Sequence, residues 1–290
     1  MAELLQLFRS RQNEMLDFLT AMVERESISR EKAKVDRLVD FMEAKLNSLG
    51  ADSVERIPQV EVGDFLQATW NRAAPGKPFL FLVHIDTVHP IGSLKAMPIR
   101  IEDGRYYGPG ALDMKAGTVI ILEAIGQLIK RGALPNRPIH LLMTTDEEIG
   151  SPFSEMLIKE LAAGCELVLV TEPATKEGAI KTWRKGGGKY ELLVEGRASH
   201  AGIAPQEGIN AIIEFAQQAL EINRLNDLKY GTSVSITVVE GGSAGNVIPA
   251  QSRAHVDTRV LTMEAMRDAA AQRLKADGAG LNGKTDRHDK

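Results

Sequence analysis

The sequence predicts an α/β protein: a mostly parallel sheet flanked by helices, followed by a smaller α+β sandwich domain. Three observations carry this. Short, wholly apolar runs such as Phe79-Leu80-Phe81-Leu82-Val83 alternate with helix-period segments through the first part of the chain, as buried parallel strands do. After Lys185-Gly186-Gly187-Gly188 the strands change to a mixed or alternating pattern, as expected of half-exposed antiparallel strands. The length, 290 residues, suits one large domain or two ordinary ones at ~100–200 residues each.

The elements follow in order. Leu4 to Val23 repeats apolar residues at helical spacing, and so do Val35, Leu38, Val39, Met42, Leu46 and Leu49, with Gly50 as the stop. Pro78 to Val83 reads as a buried strand. The turn Tyr107-Gly108-Pro109-Gly110 leads into a helix from about Lys115 to Lys130. Pro138 to Thr144 is a second buried strand, Phe153 to Ala163 a helix, and Glu166 to Val170 a third strand. In the second part, strands are expected at Lys189 to Glu195, Ser233 to Val239 and Arg253 to Val260. Helices are expected at Ile209 to Glu221 and Met263 to Leu274. The glycine-rich junction divides the chain into 1–186 and 187–290, with a polar tail from about 277 that lacks apolar periodicity.

Composition excludes several classes. Hydrophobic residues make up 43% and charged residues 26%, enough to bury a core and too apolar for global disorder. The net charge of −4 gives no basic field to recruit nucleic acid or an anionic membrane. No run reaches the ~18 apolar residues of a membrane span. A lone cysteine, Cys165, forbids an internal disulfide, and the N-terminus has no signal-peptide pattern; both point to a reducing, cytoplasmic setting.

Imidazole and carboxylate groups gather at the predicted strand ends. His84-Ile85-Asp86 follows the first strand, Asp146-Glu147-Glu148 the second and Thr171-Glu172-Pro173 the third, while Asp113 sits between the glycine turn and a helix. In open α/β sheets ligands bind beyond the carboxyl ends of the strands. This donor set suits zinc or another divalent first-row ion. In isolation each residue also reads plainly: His84 as a loop residue, Glu147-Glu148 as a solvated turn, Asp113 as an N-cap, Glu172 as a turn after a strand. Their convergence favours the metal.

Rival motifs fare worse. Gly241-Gly242-Ser243-Ala244-Gly245 spells a nucleophile elbow, but no helix opens after it. Gly108-Pro109-Gly110 lacks the third glycine of a dinucleotide fingerprint. Cys165 reads as a structural thiol.

The stretches His84-Ile85-Asp86-Thr87-Val88, Gly108 through Lys115, Asp146 through Gly150, Glu172-Pro173, Gly196-Arg197-Ala198-Ser199-His200-Ala201-Gly202 and Gly241 through Pro249 occur together, in this order. Taken together they resemble the di-zinc amidohydrolase and metallopeptidase family of aminoacylase, acetylornithine deacetylase, succinyl-diaminopimelate desuccinylase and glutamate carboxypeptidase. The glutamate carboxypeptidase branch is the nearest in pattern, with Pro109 where other branches often have arginine and Ala116 in place of a common glycine.

The resemblance implies roles. His84 and Glu172 would bind one zinc, Glu148 the other, and Asp113 would bridge them. Asp86 would hold the far nitrogen of His84. Glu147 would be the general base, taking a proton from the attacking water and returning it to the leaving amine. A cis peptide would follow the bridging aspartate, at Asp113-Met114. The second domain would act as a lid and homodimer interface, His200 reaching the partner's site to stabilise an oxyanion. Asn246 would contact substrate, and Arg259 would grip a substrate carboxylate. The first domain would be catalytic. The substrate would be a small N-acyl amino acid or a C-terminal glutamate amide, with no role for nucleic acid or membrane.

Family members normally return to the first domain and add a last histidine to the second zinc. Here that segment is missing, and His288 is no substitute. The resemblance therefore implies two zinc ions per full-length subunit, a second site here short of one ligand, and an exposed apolar edge on the first domain. It leaves a second reading: a shortened, weakly active or inactive member serving as a metal-binding or dimerising module.

Overall fold

The computed structural model describes residues 2–262 and 264. The expected helix at Met263 to Leu274 (Glu264 apart), the polar tail and His288 lie outside the described residues. The chain divides into two compact units after Ala179. Among the described residues no helix is long and apolar enough to cross a membrane.

The first unit runs α1 (Ala2–Ser10), α2 (Gln12–Val23), α3 (Lys32–Ser48), β1 (Ser53–Ile57), β2 (Phe65–Trp70), β3 (Phe79–His84), α4 (Ser93–Ala96), β4 (Arg100–Glu102), β5 (Arg105–Tyr107), α5 (Ala116–Lys130), β6 (Ile139–Thr144), α6 (Glu155–Ala163) and β7 (Leu167–Val170). The helix expected from Leu4 to Val23 is two helices, divided at Arg11. The Arg11 guanidinium is gripped by Glu14 and by Glu123 of α5.

Five strands form one sheet in the order β1-β2-β6-β3-β7. β3 lies parallel to both β6 and β7, while β2 pairs antiparallel with β1 and β6. The α/β class is as the sequence predicts, but the sheet is mixed, because β1 and β2 were not legible as strands. Ser-Val-Glu-Arg-Ile and Phe-Leu-Gln-Ala-Thr-Trp carry little strand patterning of their own. β2 pairs with β6 and buries Leu66, Ala68 and Trp70 in the core, and β1 pairs with β2.

α3 presents Val35, Leu38, Val39, Met42 and Leu46 to the core, all fully buried. α5 adds Val119, Ile121, Leu122 and Ile125. Each such side chain contributes about 1.5–3 kcal/mol by leaving water. β7 closes one edge of the sheet, and all four of its residues are exposed. An exposed apolar edge on this unit is what the family resemblance implies.

The second unit contains β8 (Gly186–Glu195), β9 (Ser199–His200), α7 (Ala211–Arg224), β10 (Ser233–Gly241), β11 (Val247–Ile248) and β12 (Gln251–Val260). β12 lies between β10 and β8, antiparallel to both. Its strict alternation sends Ser252, Ala254, Val256 and Thr258 inward. α7 packs on the sheet around Leu192, Phe215, Ile222 and Val234, and its N-terminus is capped by Asn210, which accepts the N–H groups of Ile212 and Ile213.

Gly186–Gly188, read from the sequence as the domain junction, are the first rungs of β8, paired with Thr258–Val260. A side chain at Gly187 would stand 2.9 Å from Arg259 Nη1, and one at Gly188 would stand 2.8 Å from Thr258 Oγ1. At Gly188 the close neighbours Thr258 and Tyr190 leave little room for a side chain, whereas at Gly187 the Arg259 guanidinium could move aside.

Candidate metal centre

Because β3, β6 and β7 are parallel, their carboxyl ends share one edge of the sheet. β3 ends on His84, β6 runs into Asp146-Glu147-Glu148, and β7 runs through Thr171 into Glu172. Asp113 arrives from the loop before α5, where the Asp113-Met114 peptide is cis. Gly110 starts that loop at φ 66°, and a Cβ there would stand 2.3 Å from Thr87 Cγ2. Only glycine fits both the conformation and the space.

His84 Nε2 lies 3.1 Å from Asp113 Oδ1 and 3.2 Å from Glu172 Oε1. Ligand atoms of these three residues all fall within 4.8 Å of one another, a spacing that one cation can span. Glu147 Oε2 stands 3.9 Å from the same nitrogen, outside that trio. The His84 ring is buried, whereas the side chains of Asp113 and Glu147 are about half exposed, so the centre has a dry back and an open front.

The far side of His84 meets Asp86. Nδ1 is 3.3 Å from Asp86 Oδ1 and 3.2 Å from its carbonyl oxygen. Asp86 is fully buried; its Oδ2 accepts from Ser29 Oγ at 2.6 Å and from the Glu148 N–H at 3.2 Å. This is the outer support a metal-binding imidazole needs.

Electrostatics give the fit test for a cation. Burial, and then the charge of Asp113, push Glu148 up to about 7. Burial likewise raises Glu147, although the nearby His84 opposes it. Burial alone would lower His84, but Asp86 and Glu172 outweigh it and push the imidazole up to about 11. Carboxylates crowd here beyond what one imidazole can neutralise. Imidazole, Asp and Glu are a donor set for a divalent ion, and the residues present fit one. Glu148 is close enough to feel Asp113 and His84 but does not join the trio.

The residues assigned to the second domain are described within that unit. β9 and β11 pair His200 with Val247, and the Ala201 N–H donates to Asn246 carbonyl, so His200 and Asn246 are neighbours. His200 is exposed, and its Nδ1 accepts from the N–H groups of Gly202 and Ile203, which leaves Nε2 as the donor. The guanidinium of Arg259 is engaged by Asp257, two residues away on β12, through two contacts of 3.0 Å.

Sequence reasoning missed several supports. Asp146 is fully buried, and its Oδ2 accepts from the Phe153 and Ser154 N–H groups, closing the turn that presents Glu147 and Glu148. The signal was available: an Asp before two glutamates at a strand end is a local turn-former. Lys115 is 1% exposed and donates to the carbonyls of Met22 and Arg25 at the end of α2. Burial pushes it down to about 7 against the pull of Asp86 and Glu26. Lys115 closes the Gly108–Lys115 stretch, but nothing local marks its burial, and no local pattern marks Ser29.

Comparison with known proteins agrees with this picture. Residues 80–275 match peptidase family M20/M25/M40. The chain is 32% identical over 238 residues to carboxypeptidase G2 of Pseudomonas sp. (strain RS-16), covering 81% of this chain and 57% of that protein. Across four curated relatives the chain spans 46–61% of their length. An M20 family metallo-carboxypeptidase from Sulfolobus solfataricus superposes with a TM-score of 0.73 at 20% identity, over 93% of this chain and 77% of that one. A dinuclear metal-binding M20 peptidase of Bacillus subtilis superposes at 0.63 with 16% identity, over 95% and 74%. These two likenesses concern the fold.

Proposed function

Given that this chain belongs to peptidase family M20/M25/M40, we propose that it is part of a metal-dependent hydrolase of amide or peptide bonds. One observation carries the reading: His84, Asp113 and Glu172 converge on a cation-sized space while a further carboxylate, Glu147, stands beside it and outside the trio.

His84, Asp113 and Glu172 would hold one divalent ion, and Glu148 would serve a second. A divalent ion bound there polarises the substrate carbonyl and acidifies water. Zinc is the metal we assign, because nitrogen and carboxylate donors suit it. Glu147, free of the trio and raised by burial, accepts a proton from the attacking water and returns it to the departing nitrogen. Asp86 keeps His84 oriented.

The substrate is a small N-acyl amino acid or a peptide ending in glutamate. A free carboxylate on that substrate is supported by the likeness to a carboxypeptidase and by Arg259, whose planar fork matches a carboxylate. His200 Nε2 is the donor available for an oxyanion. The second unit serves as lid and as homodimer interface, a role supported by Leu193 and Val238, exposed on the same face of its sheet. A single cysteine supports a reducing, cytoplasmic setting.

The test is metal analysis joined to an activity screen. The expected result is bound zinc, with hydrolysis of N-acyl amino acids or C-terminal glutamate amides that a chelator abolishes. A protein that takes up no divalent ion, or hydrolysis indifferent to chelators, overturns the reading.

A further inference from the structure

We propose that Ser29 is a positioning residue of the metal centre: its hydroxyl sets the Asp86 carboxylate so that one oxygen serves His84 while the other tethers the glutamate turn. The inference rests on the metal reading above and extends it to a residue outside the matched segment 80–275.

Ser29 is 2% exposed and lies in the connection between α2 and α3, far in sequence from every ligand. Its Oγ donates to Asp86 Oδ2 at 2.6 Å. The same oxygen accepts the Glu148 N–H at 3.2 Å. Asp86 Oδ1 approaches His84 Nδ1 at 3.3 Å as an ion-pair contact and has no hydrogen-bond partner among the described residues, so its direction depends on how the other oxygen is held. The carboxylate therefore joins the two halves of the centre, with His84 on one side and the Glu147-Glu148 turn on the other.

The neighbouring serine does a different job. Ser27 Oγ donates to the Ile85 carbonyl at 2.7 Å, and the Thr87 N–H donates to the Ser27 carbonyl at 2.9 Å. These contacts fix the backbone on both sides of Asp86 whatever its carboxylate does. The terminal torsion of an aspartate is broad and two-fold, so backbone anchoring does not orient it. The short Ser29 contact does, because a hydroxyl donating to a charged acceptor is the stronger kind of hydrogen bond. Without it, Oδ2 would keep only the longer Glu148 N–H.

The experiment titrates cobalt(II) into the 290-residue chain against a chromogenic chelator and records the visible cobalt absorption, with thermal melts of the metal-free proteins alongside. Ser29→Ala is expected to weaken cobalt binding about 10–100-fold, the usual effect of losing an outer-shell partner. It should also alter the cobalt spectrum. Ser29→Thr, which restores a hydroxyl, should recover most of the loss. Ser27→Ala should lower the melting temperature yet leave cobalt affinity within about threefold, because it touches only backbone. Should Ser29→Ala fail to fold, Ser29→Cys keeps the shape with a weak donor, and its cobalt affinity must fall. Parental affinity in Ser29→Ala or Ser29→Cys, or an equal loss in Ser27→Ala, overturns the inference and leaves the metal reading standing. A parental chain that binds no cobalt overturns both.

Discussion

Gly117, in the first turn of α5, packs against the carbonyl of Thr171: a Cβ at Gly117 would stand 2.1 Å from that oxygen. Thr171 is the residue before Glu172, so this close approach sets the distance between the helix that follows Asp113 and the strand end that supplies Glu172. In Gly117→Ala the backbone must give way. Overpacking of this kind costs about 1–3 kcal/mol, partly offset by the ~1 kcal/mol that alanine returns to a helix. The variant should melt below the parent and bind divalent ions more weakly. An unchanged melting temperature with unchanged affinity would contradict the packing argument.

Glu147 and the His84–Asp113–Glu172 trio should separate cleanly under mutation. Glu147→Gln keeps the shape but removes the base, so turnover should fall by about 10²–10⁴. Its metal content should stay at the parental level. His84→Ala should lose metal and turnover together. The check is metal per chain measured on the same preparations used for kinetics; loss of metal in Glu147→Gln would make it a ligand instead of a base.

Acid stability should depend on Asp64. Its carboxylate accepts from Lys32 Nζ at 2.6 Å, Arg56 Nε at 2.7 Å and the Gln59 N–H at 2.9 Å, which pins α3 to the β1–β2 pair. Burial would raise it, but these partners win and hold it down at about 2, against an ordinary 3.8. A depressed carboxylate stabilises the fold above its unfolded value and loses that contribution as pH falls toward the folded one. The contribution is ~2 kcal/mol at neutral pH, lost between about pH 4 and 2. Denaturant melts across that window should slope more steeply for the parent than for Asp64→Asn. Parallel slopes would remove Asp64 from the account.

Arg259 should report on substrate charge, and Asp257 should compete with it. A charge-assisted pair is worth about 1.5–3 kcal/mol, so Arg259→Ala should raise KM by roughly 10–150-fold for substrates with a free carboxylate, with little change for esterified analogues. Asp257→Asn weakens the internal pair and should lower KM for the same acids. Equal effects of Arg259→Ala on acids and esters would exclude a carboxylate grip.

Much of this protein was legible before folding. β3, β6 and β7 announced themselves as apolar runs, and His84, Glu147-Glu148 and Glu172 followed them at their ends; parallel strands then carry those residues to one edge. β1 and β2 were not legible, because β2 becomes strand through pairing with β6 and β1 through pairing with β2. The α1–α2 break was equally hidden: apolar periodicity runs straight through Arg11, and nothing local discloses its grip by Glu123.

What the sequence alone determined is the chemistry on offer: an imidazole and a set of carboxylates, delivered by strand ends. That follows from periodicity and composition, which are local properties. What only the tertiary structure decided is which of those groups meet. His84, Asp113 and Glu172 come within cation range, Glu147 stays apart, and Ser29, Asp146 and Lys115 hold the pieces in place. Such contacts join residues far apart in the chain, and their energies come from burial and close approach, quantities that exist only once the layers have packed.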